Sequence, residues 1–450
     1  MRSLPDRILL TACSLLLVLN NVAHADTDTH PALNTLAQTI DAALANNPEL
    51  SIMQARIDQA DAQLGQALAI FYPQIKTSLS YQYTNNPAQA FAMLIAQRRL
   101  NMAGTDFNHP GFVEDYRPQV TASYSLFRGG QDYYQSQAAQ LAIETSELEK
   151  SATRNRLLSN VTAAFYGELA AIDSHKMSLR TIEAVQNELE QSRARFNAGA
   201  LLKSDLLSLE VQLAEAQEAD IQAANAIEIA HNMLKTLLGL SVTDAFAINV
   251  SLESQLPKAP EGFSDLLAKA LSSHPELKAA EKKVLIAEKQ VAAAKGAYLP
   301  RADAFVNYGS DSKNLTYNSN QDNLTAGVMV EMDIFTGFAT QEKLKKAQHE
   351  LTMANETARQ TRLRIESQLK TAQLRLQEAL SRARISALAV QASEEALRLV
   401  KEQHQAGVVT VTRYIDAEVA RDKAQTRQIS SRYDALRFDA ELKQAIGFWQ

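Results

Sequence analysis

Residues 338–406, FATQEKLKKAQHELTMANETARQTRLRIESQLKTAQLRLQEALSRARISALAVQASEEALRLVKEQHQA, run from Phe338 to Ala406 without a glycine or a proline. A stretch so rich in Ala, Leu, Gln, Glu, Lys and Arg is helical on propensity alone, since these residues lose little rotamer or backbone freedom there. At 1.5 Å per residue the helix is roughly 100 Å long, longer than a compact core can cover. Its apolar positions step by threes and fours: Leu344, Ala347, Leu351, Ala354 and Ala358, then Ile365, Leu369, Ala372, Leu376, Ala379 and Ala383. A spacing near 3.5 predicts left-handed supercoiling against neighbours. Alanine at many seam positions lets helices approach closely, which suits a wall of helices better than a solid bundle.

The remainder of the chain contrasts with this helix. With 15 glycines and 11 prolines in 450 residues, little loop is available, and one elongated unit is expected. A net charge of −6, with no basic run longer than Arg98-Arg99 or Lys345-Lys346, points away from nucleic acid. Residues 1–25 read as a signal peptide: Arg2 and Arg7 precede the apolar run Ile8 to Leu19, and Ala23-His24-Ala25 has the small-x-small ending of a cleavage site. Cleavage there removes Cys13, the single cysteine. The alternative, lipidation at Cys13 after Leu10-Thr11-Ala12, leaves only five residues between Arg7 and the cysteine. No later stretch approaches the length of an apolar transmembrane helix.

Downstream, a short helix from Leu33 to Asn46, a break at Asn47-Pro48 and a helix from Glu49 to about Phe71 lead to a change of period. Ile75, Thr77, Leu79, Tyr81 and Tyr83 alternate with Gln74, Lys76, Ser78, Ser80 and Gln82, the pattern of a strand with one apolar face. A polar loop from Asn85 to Tyr116 is expected before a second strand, in which Val120, Ala122, Tyr124 and Leu126 alternate with polar residues. Helices from Gln131 to about Ala198 and from Lys203 to Leu238 follow, reversing at Gly199. Residues 241–262 read as a linker.

The order then begins again. His274-Pro275-Glu276-Leu277 repeats Asn47-Pro48-Glu49-Leu50 at an offset of 227, and Tyr298-Leu299-Pro300 repeats Phe71-Tyr72-Pro73. Gln405-Ala406-Gly407 matches Asn197-Ala198-Gly199 at an offset of 208. The 19-residue difference lies in the first hairpin, where Pro73 to Phe127 spans 54 positions against 35 for Pro300 to Phe335. The chain is read as a tandem duplication, residues 26–240 and 263–450, each carrying a β-hairpin (about 74–127 and 301–335) and a long helical hairpin with its tip at 199 or 407.

Four strands of about ten residues, polar on one face and apolar on the other, have the length and alternation of outer-membrane β-strands. A barrel in lipid must close, and four strands cannot close alone. Two copies give eight strands and a nearly filled lumen, whereas three give twelve and leave room for transport. Arg301, Asp303, Glu331 and Asp333 then fall on the polar, lumen-facing wall.

Beyond this, the duplicated order, the Asn-Pro-Glu-Leu opening, the proline-started strand and Arg195-Phe196-Asn197-Ala198-Gly199 followed by Asp205 resemble the TolC family of outer-membrane channel-tunnel proteins. The resemblance covers essentially all of the chain after the signal segment. It implies a homotrimer with a 12-stranded barrel in outer-membrane lipid and a 12-helix α-barrel in the periplasm of a Gram-negative cell. It further implies a periplasmic adaptor (membrane fusion) protein and an inner-membrane pump or exporter as partners, the chain being the exit duct of a tripartite efflux or type I secretion system. Arg195, Gly199, Leu201, Leu202, Gly407, Val408 and Val409 correspond to the tip and docking end. Asp205, Glu394, Arg398, Lys401 and Arg413 are gate candidates. The sequence departs from the family at Arg413, where the first repeat has Asp205, and at Arg398 and Lys401, where some members carry acidic residues; Glu394 and Glu395 lie nearby.

An enzyme is disfavoured: there is no His-Glu-x-x-His, Gly-x-Ser-x-Gly or phosphate-binding glycine loop, and the eight histidines are scattered, so no cofactor or metal site is expected. His175 and His231 are read as helix-surface residues. A secreted periplasmic coiled-coil structural or adaptor protein is the competing reading, since heptad-like seams serve it equally, but it leaves the four amphipathic strands unexplained.

Overall fold

The computed structural model describes residues 35–104, 106–247 and 255–449; the signal segment with Cys13 and Ala25, and part of the linker, lie outside them. The first repeat comprises α1 (Leu36–Asn46), α2 (Pro48–Leu68), β1 (Gln74–Thr84), α3 (Pro87–Ala96), β2 (Val113–Arg128), α4 (Gln131–Asn197) and α5 (Lys203–Leu237). The second comprises α6 (Phe263–Ser273), α7 (Pro275–Gly296), β3 (Arg301–Ser310), β4 (Asp322–Glu331), α8 (Ala339–Gln405) and α9 (Val411–Ile446). Apart from α3, the order is the same in both.

Each repeat turns its first corner in the same way. Pro48 and Pro275 occupy the first turns of α2 and α7, where the missing N–H is no loss. The Asn47 side chain accepts from the Glu49 amide at 2.8 Å, and His274 Nδ1 accepts from the Glu276 amide at 3.3 Å. Asn47 also donates to the Leu237 carbonyl at 2.8 Å, tying the corner to the end of α5.

The seam predicted for the long helix is seen in α8, where Ile365, Leu369, Ala372, Leu376, Ala379 and Ala383 are buried against α6, α7 and α9. Toward the sheet, Leu344, Leu351, Ala354 and Ala358 remain half-buried. The asymmetry has a cause. The first repeat's α4 packs on α7 and α9 of the second, but α8 makes no comparable packing on α2 or α5 within one chain. One side of α8 therefore lacks a neighbour.

The four strands form one antiparallel sheet in the order β1-β2-β3-β4, with β1 and β4 at open edges. Register carries the alternation across the whole sheet: Gln74↔Ser123, Lys76↔Thr121 and Ser78↔Gln119 continue as Thr121↔Asn307 and then Asn307↔Thr325. Most polar positions share one face, with Thr77, Glu114 and Asp322 on the other. On the other, Ile75, Leu79, Leu126, Leu324, Val328 and Val330 are more than half exposed. Aromatic residues border this face, with Tyr72, Phe127, Tyr298 and Phe335 at the helix end and Tyr81, Tyr83 and Tyr116 at the far end.

Two expectations are corrected. The segment from Asn85 to Tyr116 is not a polar loop throughout: Asn86 accepts from the amides of Ala88 and Gln89, Pro87 follows, and α3 forms, while β2 begins at Val113. The local cap-and-proline signal was hidden by the polar composition of the wider segment. Asp333 lies beyond the last strand pair, Arg301↔Glu331, at the rim of the sheet and not on its face. Pro300, which has no N–H to donate, precedes that pair and ends the ladder. His175 and His231, read as helix-surface residues, are partly exposed and face Asp220 at 3.3 Å and Glu168 at 2.9 Å across α4 and α5.

Candidate gate and docking end

The tips farthest from the sheet are built alike. Gly199 (φ 78°) and Gly407 (φ 76°) adopt the left-handed conformation that ends α4 and α8. Around Gly199, the Ala200 amide reaches back to the Arg195 carbonyl at 2.8 Å and the Gly199 amide to Phe196 at 2.9 Å. Around Gly407, Val408 bonds to Gln403 at 2.9 Å and Gly407 to His404 at 3.0 Å. These bonds satisfy carbonyls that a helix terminus leaves open.

The outgoing helices differ. The α9 start is capped by Thr410, whose Oγ1 accepts from the Arg413 amide at 3.3 Å, whereas Leu202 gives α5 no side-chain cap. Asp205 and Arg413 stand at the same position, three residues past the cap. The acid complements the positive end of its helix and the arginine opposes it. Among the described residues of one chain, Asp205 has no ion pair; Arg195 instead points its guanidinium to 3.5 Å from His404 Nε2.

The apolar tip residues divide into two sets. Leu201 packs against Leu189, Leu209 and Val411, and Val409 is half-buried, its carbonyl facing His404 Nδ1 at 3.3 Å. Leu202 and Val408 project into solvent, 70% and 74% exposed. On α8, Arg398 bridges Glu395 at 2.7 Å and Glu402 at 2.6 Å, a surface ladder that holds the Glu395 carboxyl below its usual range. Glu394 accepts from Gln425 of α9 at 2.9 Å. Lys401 lines a cleft of about 310 Å³ with Arg180, Glu188, Tyr414 and Arg421.

That cleft leads to a buried polar layer that sequence reading missed. His404 Nε2 lies 3.2 Å from Glu188 Oε1, both side chains about 5% exposed, and the imidazole stacks on Tyr414. Nδ1 faces the Val409 carbonyl, a contact that is made when Nδ1 is the ring nitrogen that carries the proton and donates. Below it on α9, Glu418 is buried with Oε1 on Arg421 at 3.2 Å and Oε2 unpartnered, and burial raises its carboxyl above the usual value. The pair ties α4 to α8, hence one hairpin to the other. Its signal in the sequence was a charged or titratable residue on an apolar seam: Glu188 beside Val185, Leu189 and Ser192, and His404 four past Val400.

At the other end, Arg301 Nε donates to Glu331 Oε2 at 2.8 Å on the polar face, and Asp303 shares that face opposite Ser125 and Met329. Among the described residues no group of His, Cys, Asp and Glu is arranged to hold a metal, and no helix is long and apolar enough to cross a membrane.

The family model described as outer membrane efflux protein matches residues 39–240 and 266–448. Protein CyaE of Bordetella pertussis is 26% identical over 368 residues, covering 80% of this chain and 70% of that protein. Outer membrane protein TolC of Escherichia coli is 22% identical over 425 residues, covering 92% and 82%. Among solved structures, the Campylobacter jejuni CmeC outer membrane channel superposes with a TM-score of 0.79 at 17% identity, covering 92% of this chain and 85% of that one. The sheet with its apolar face outward, the four long helices and these matches lead to one conclusion: the chain is a member of the outer membrane efflux protein family, an exit duct of the outer membrane.

Proposed function

We propose that three copies close into a continuous duct, a 12-stranded barrel in outer-membrane lipid continued by a 12-helix tunnel, which carries cargo outward from a periplasmic adaptor and an inner-membrane pump or exporter. The observation that carries this reading is the pair of open edges on a sheet whose apolar face is exposed between two aromatic borders. Lipid tolerates no unpaired edge, so β1 and β4 must pair between copies. The free flank of α8 fits the same operation. By the repeat, α4 on α7 and α9 within a chain becomes α8 on α2 and α5 of the next. Twelve strands leave a lumen that eight would fill.

In this reading the tips form the periplasmic entrance. Leu202 and Val408 are the apolar contacts an adaptor engages, while Arg195, Gly199, Leu201, Gly407 and Val409 set the shape beneath them. Opening separates neighbouring hairpins. It is restrained by the Glu188–His404 layer within a chain and by polar links of the Asp205, Glu394, Arg398, Lys401 and Arg413 surface between chains, which individually contribute little. The coiled-coil structural or adaptor reading has no use for an apolar sheet face. The direct test is the mass of the detergent-purified protein after subtraction of bound detergent. Three chains are expected, and a stable monomer or dimer with β signature refutes the closure argument.

A further inference from the structure

The first hairpin is longer than the second, and nothing in the duct reading uses the extra segment. Its position follows from strand parity. In β2 the odd residues Gln119, Thr121 and Ser123 lie on the polar face, and the β1–β2 register is unbroken to Thr84↔Val113. Val113, Asp115 and Arg117 therefore lie on that same face. Val113 is buried under Ala90 and Met93 of α3. The helix is thus folded over the channel side of the sheet, at the mouth away from the tunnel.

It is held there by a polar lock. Gln97, fully buried just after α3, donates to Asp115 Oδ1 at 2.9 Å and to the Glu114 carbonyl at 2.7 Å, and its own carbonyl accepts from Gln321 at 2.8 Å. Arg117 lies between the buried carboxylates of Asp115 and Asp311, and Asn323 donates to Asp311 Oδ2 at 2.7 Å. Tyr116 and Ser312 exchange backbone bonds of 2.8 and 3.0 Å, which joins the start of β2 to the loop of the second hairpin. A buried, mutually satisfied network of this kind fixes one position for the segment it holds. Apart from Gln89, the surface α3 leaves uncovered is apolar: Pro87, Ala88, Ala92 and Ile95 are exposed, and Phe91 stacks on Phe107 at 4.2 Å.

We propose that α3 is an exit constriction, one per copy, an apolar ring locked over the outer mouth of the duct by Gln97, Asp115, Arg117, Asp311 and Asn323. This rests on the trimeric duct reading. Three helices, each about 10 Å across, narrow a lumen between the filled eight-strand barrel and the open porin. An apolar ring retards hydrated ions and bulky polar solutes by dewetting. The insertion in the first hairpin thereby acquires a role the second hairpin does not share.

Cysteine accessibility in intact cells tests it. Ser78→Cys places a thiol on the polar face below α3, and Lys313→Cys places one on the exposed outer loop as a reference, with the unsubstituted chain as background. A small cationic methanethiosulfonate added outside is expected to label both, whereas a maleimide on a long polyethylene glycol chain labels only the outer one. Two further variants release the ring: residues 87–110 replaced by a short Gly-Ser linker, and Gln97→Ala with Asn323→Ala, which keeps the chain length should the shortened loop fail to insert. In each, bulky labelling of Ser78→Cys is expected to rise at least about tenfold, as removal of a steric and dewetting barrier requires. Equal bulky labelling with and without the ring overturns the constriction while leaving the duct intact. If the small reagent fails at Ser78→Cys in the ring-released variants as well but reacts at Lys313→Cys, the polar face is not a wet lumen and the duct reading falls with it.

Discussion

Replacing His404 by alanine isolates a buried polar link between the two helical hairpins near their tips. The substitution removes the contact with Glu188 at 3.2 Å, the contact with the Val409 carbonyl and the stacking on Tyr414. Glu188 keeps only a 3.4 Å contact from Ser192 and stays buried. Removing one partner of a buried pair costs about 3–5 kcal/mol. Arg195, already within reach of this site, can swing toward the carboxylate, so the low end, about 3 kcal/mol, is expected. Since 1.4 kcal/mol is a factor of ten, local opening becomes roughly a hundredfold more frequent. Hydrogen exchange reads this directly: amides near 190–200 and 400–412 should lose protection by that factor while the seam around Leu369 and Leu376 is unchanged. A Glu188→Gln, His404→Ala double variant should lose less than the sum of the two. Unchanged tip protection, or full additivity, refutes the claim that this pair holds the hairpins together.

Asp205→Ala should raise single-channel conductance in planar bilayers with little change in trimer stability if Asp205 links neighbouring hairpins; unchanged conductance with a lower melting temperature leaves it a helix-end charge worth about 0.3–1 kcal/mol. Arg413→Glu reverses an unfavourable charge at a helix N-terminus, so the start of α9 should gain about 0.5 kcal/mol in the dissociated chain, measurable as local exchange protection, and lose that gain in the trimer, where the introduced acid faces Asp205 of neighbouring hairpins. Burial raises the Glu418 carboxyl above 4.5, so the folded state binds that proton more tightly than the unfolded one. Its penalty is present above the raised value and relieved as pH falls from there toward 4.5, and Glu418→Gln should therefore raise the melting temperature at pH 7 and flatten its acid-side dependence. Gly129→Ala would drive a Cβ to 2.1 Å from the Gly296 carbonyl oxygen. A backbone clash of that kind should cost at least about 2 kcal/mol and reduce trimer yield on gels.

The parts of this fold that were legible in the sequence are those governed by local period. Sixty-seven-residue helices with no proline and, in α4, a single glycine, strands alternating at period two, and glycine tips are each written within a short window. The repeat then doubled every such signal. Side-chain partners across large sequence separations were not legible. Glu188 and His404 are 216 positions apart, and nothing in either neighbourhood specifies the other. Their trace was negative, a polar residue where the seam calls for an apolar one. The tip leucines show the same limit. Leu201 and Leu202 are adjacent and chemically identical, yet the first packs on Val411 and the second faces solvent, because the helix start at Lys203 fixes opposite directions for the two side chains. The α3 insertion was detected as a length difference, but its inward placement depends on register.

The two repeats diverge where the proposed trimer puts them side by side. Around a ring of three chains, hairpins of the first and second kind alternate, so the position three residues past each cap is Asp205, then Arg413, then Asp205 again. Six acids there would repel, and six arginines would repel while also opposing six helix dipoles. Alternation makes each neighbour attractive and leaves only Arg413 working against its own helix. Thr410 offsets this by capping α9, and Leu202, beside the favourable Asp205, offers α5 no cap. In the proposed trimer the departure of Arg413 from its counterpart lowers the like-charge repulsion of the ring without any ion pair to Asp205 inside one chain, and the Asp205→Ala and Arg413→Glu variants, one removing the acid and the other reversing the base, probe it from both sides.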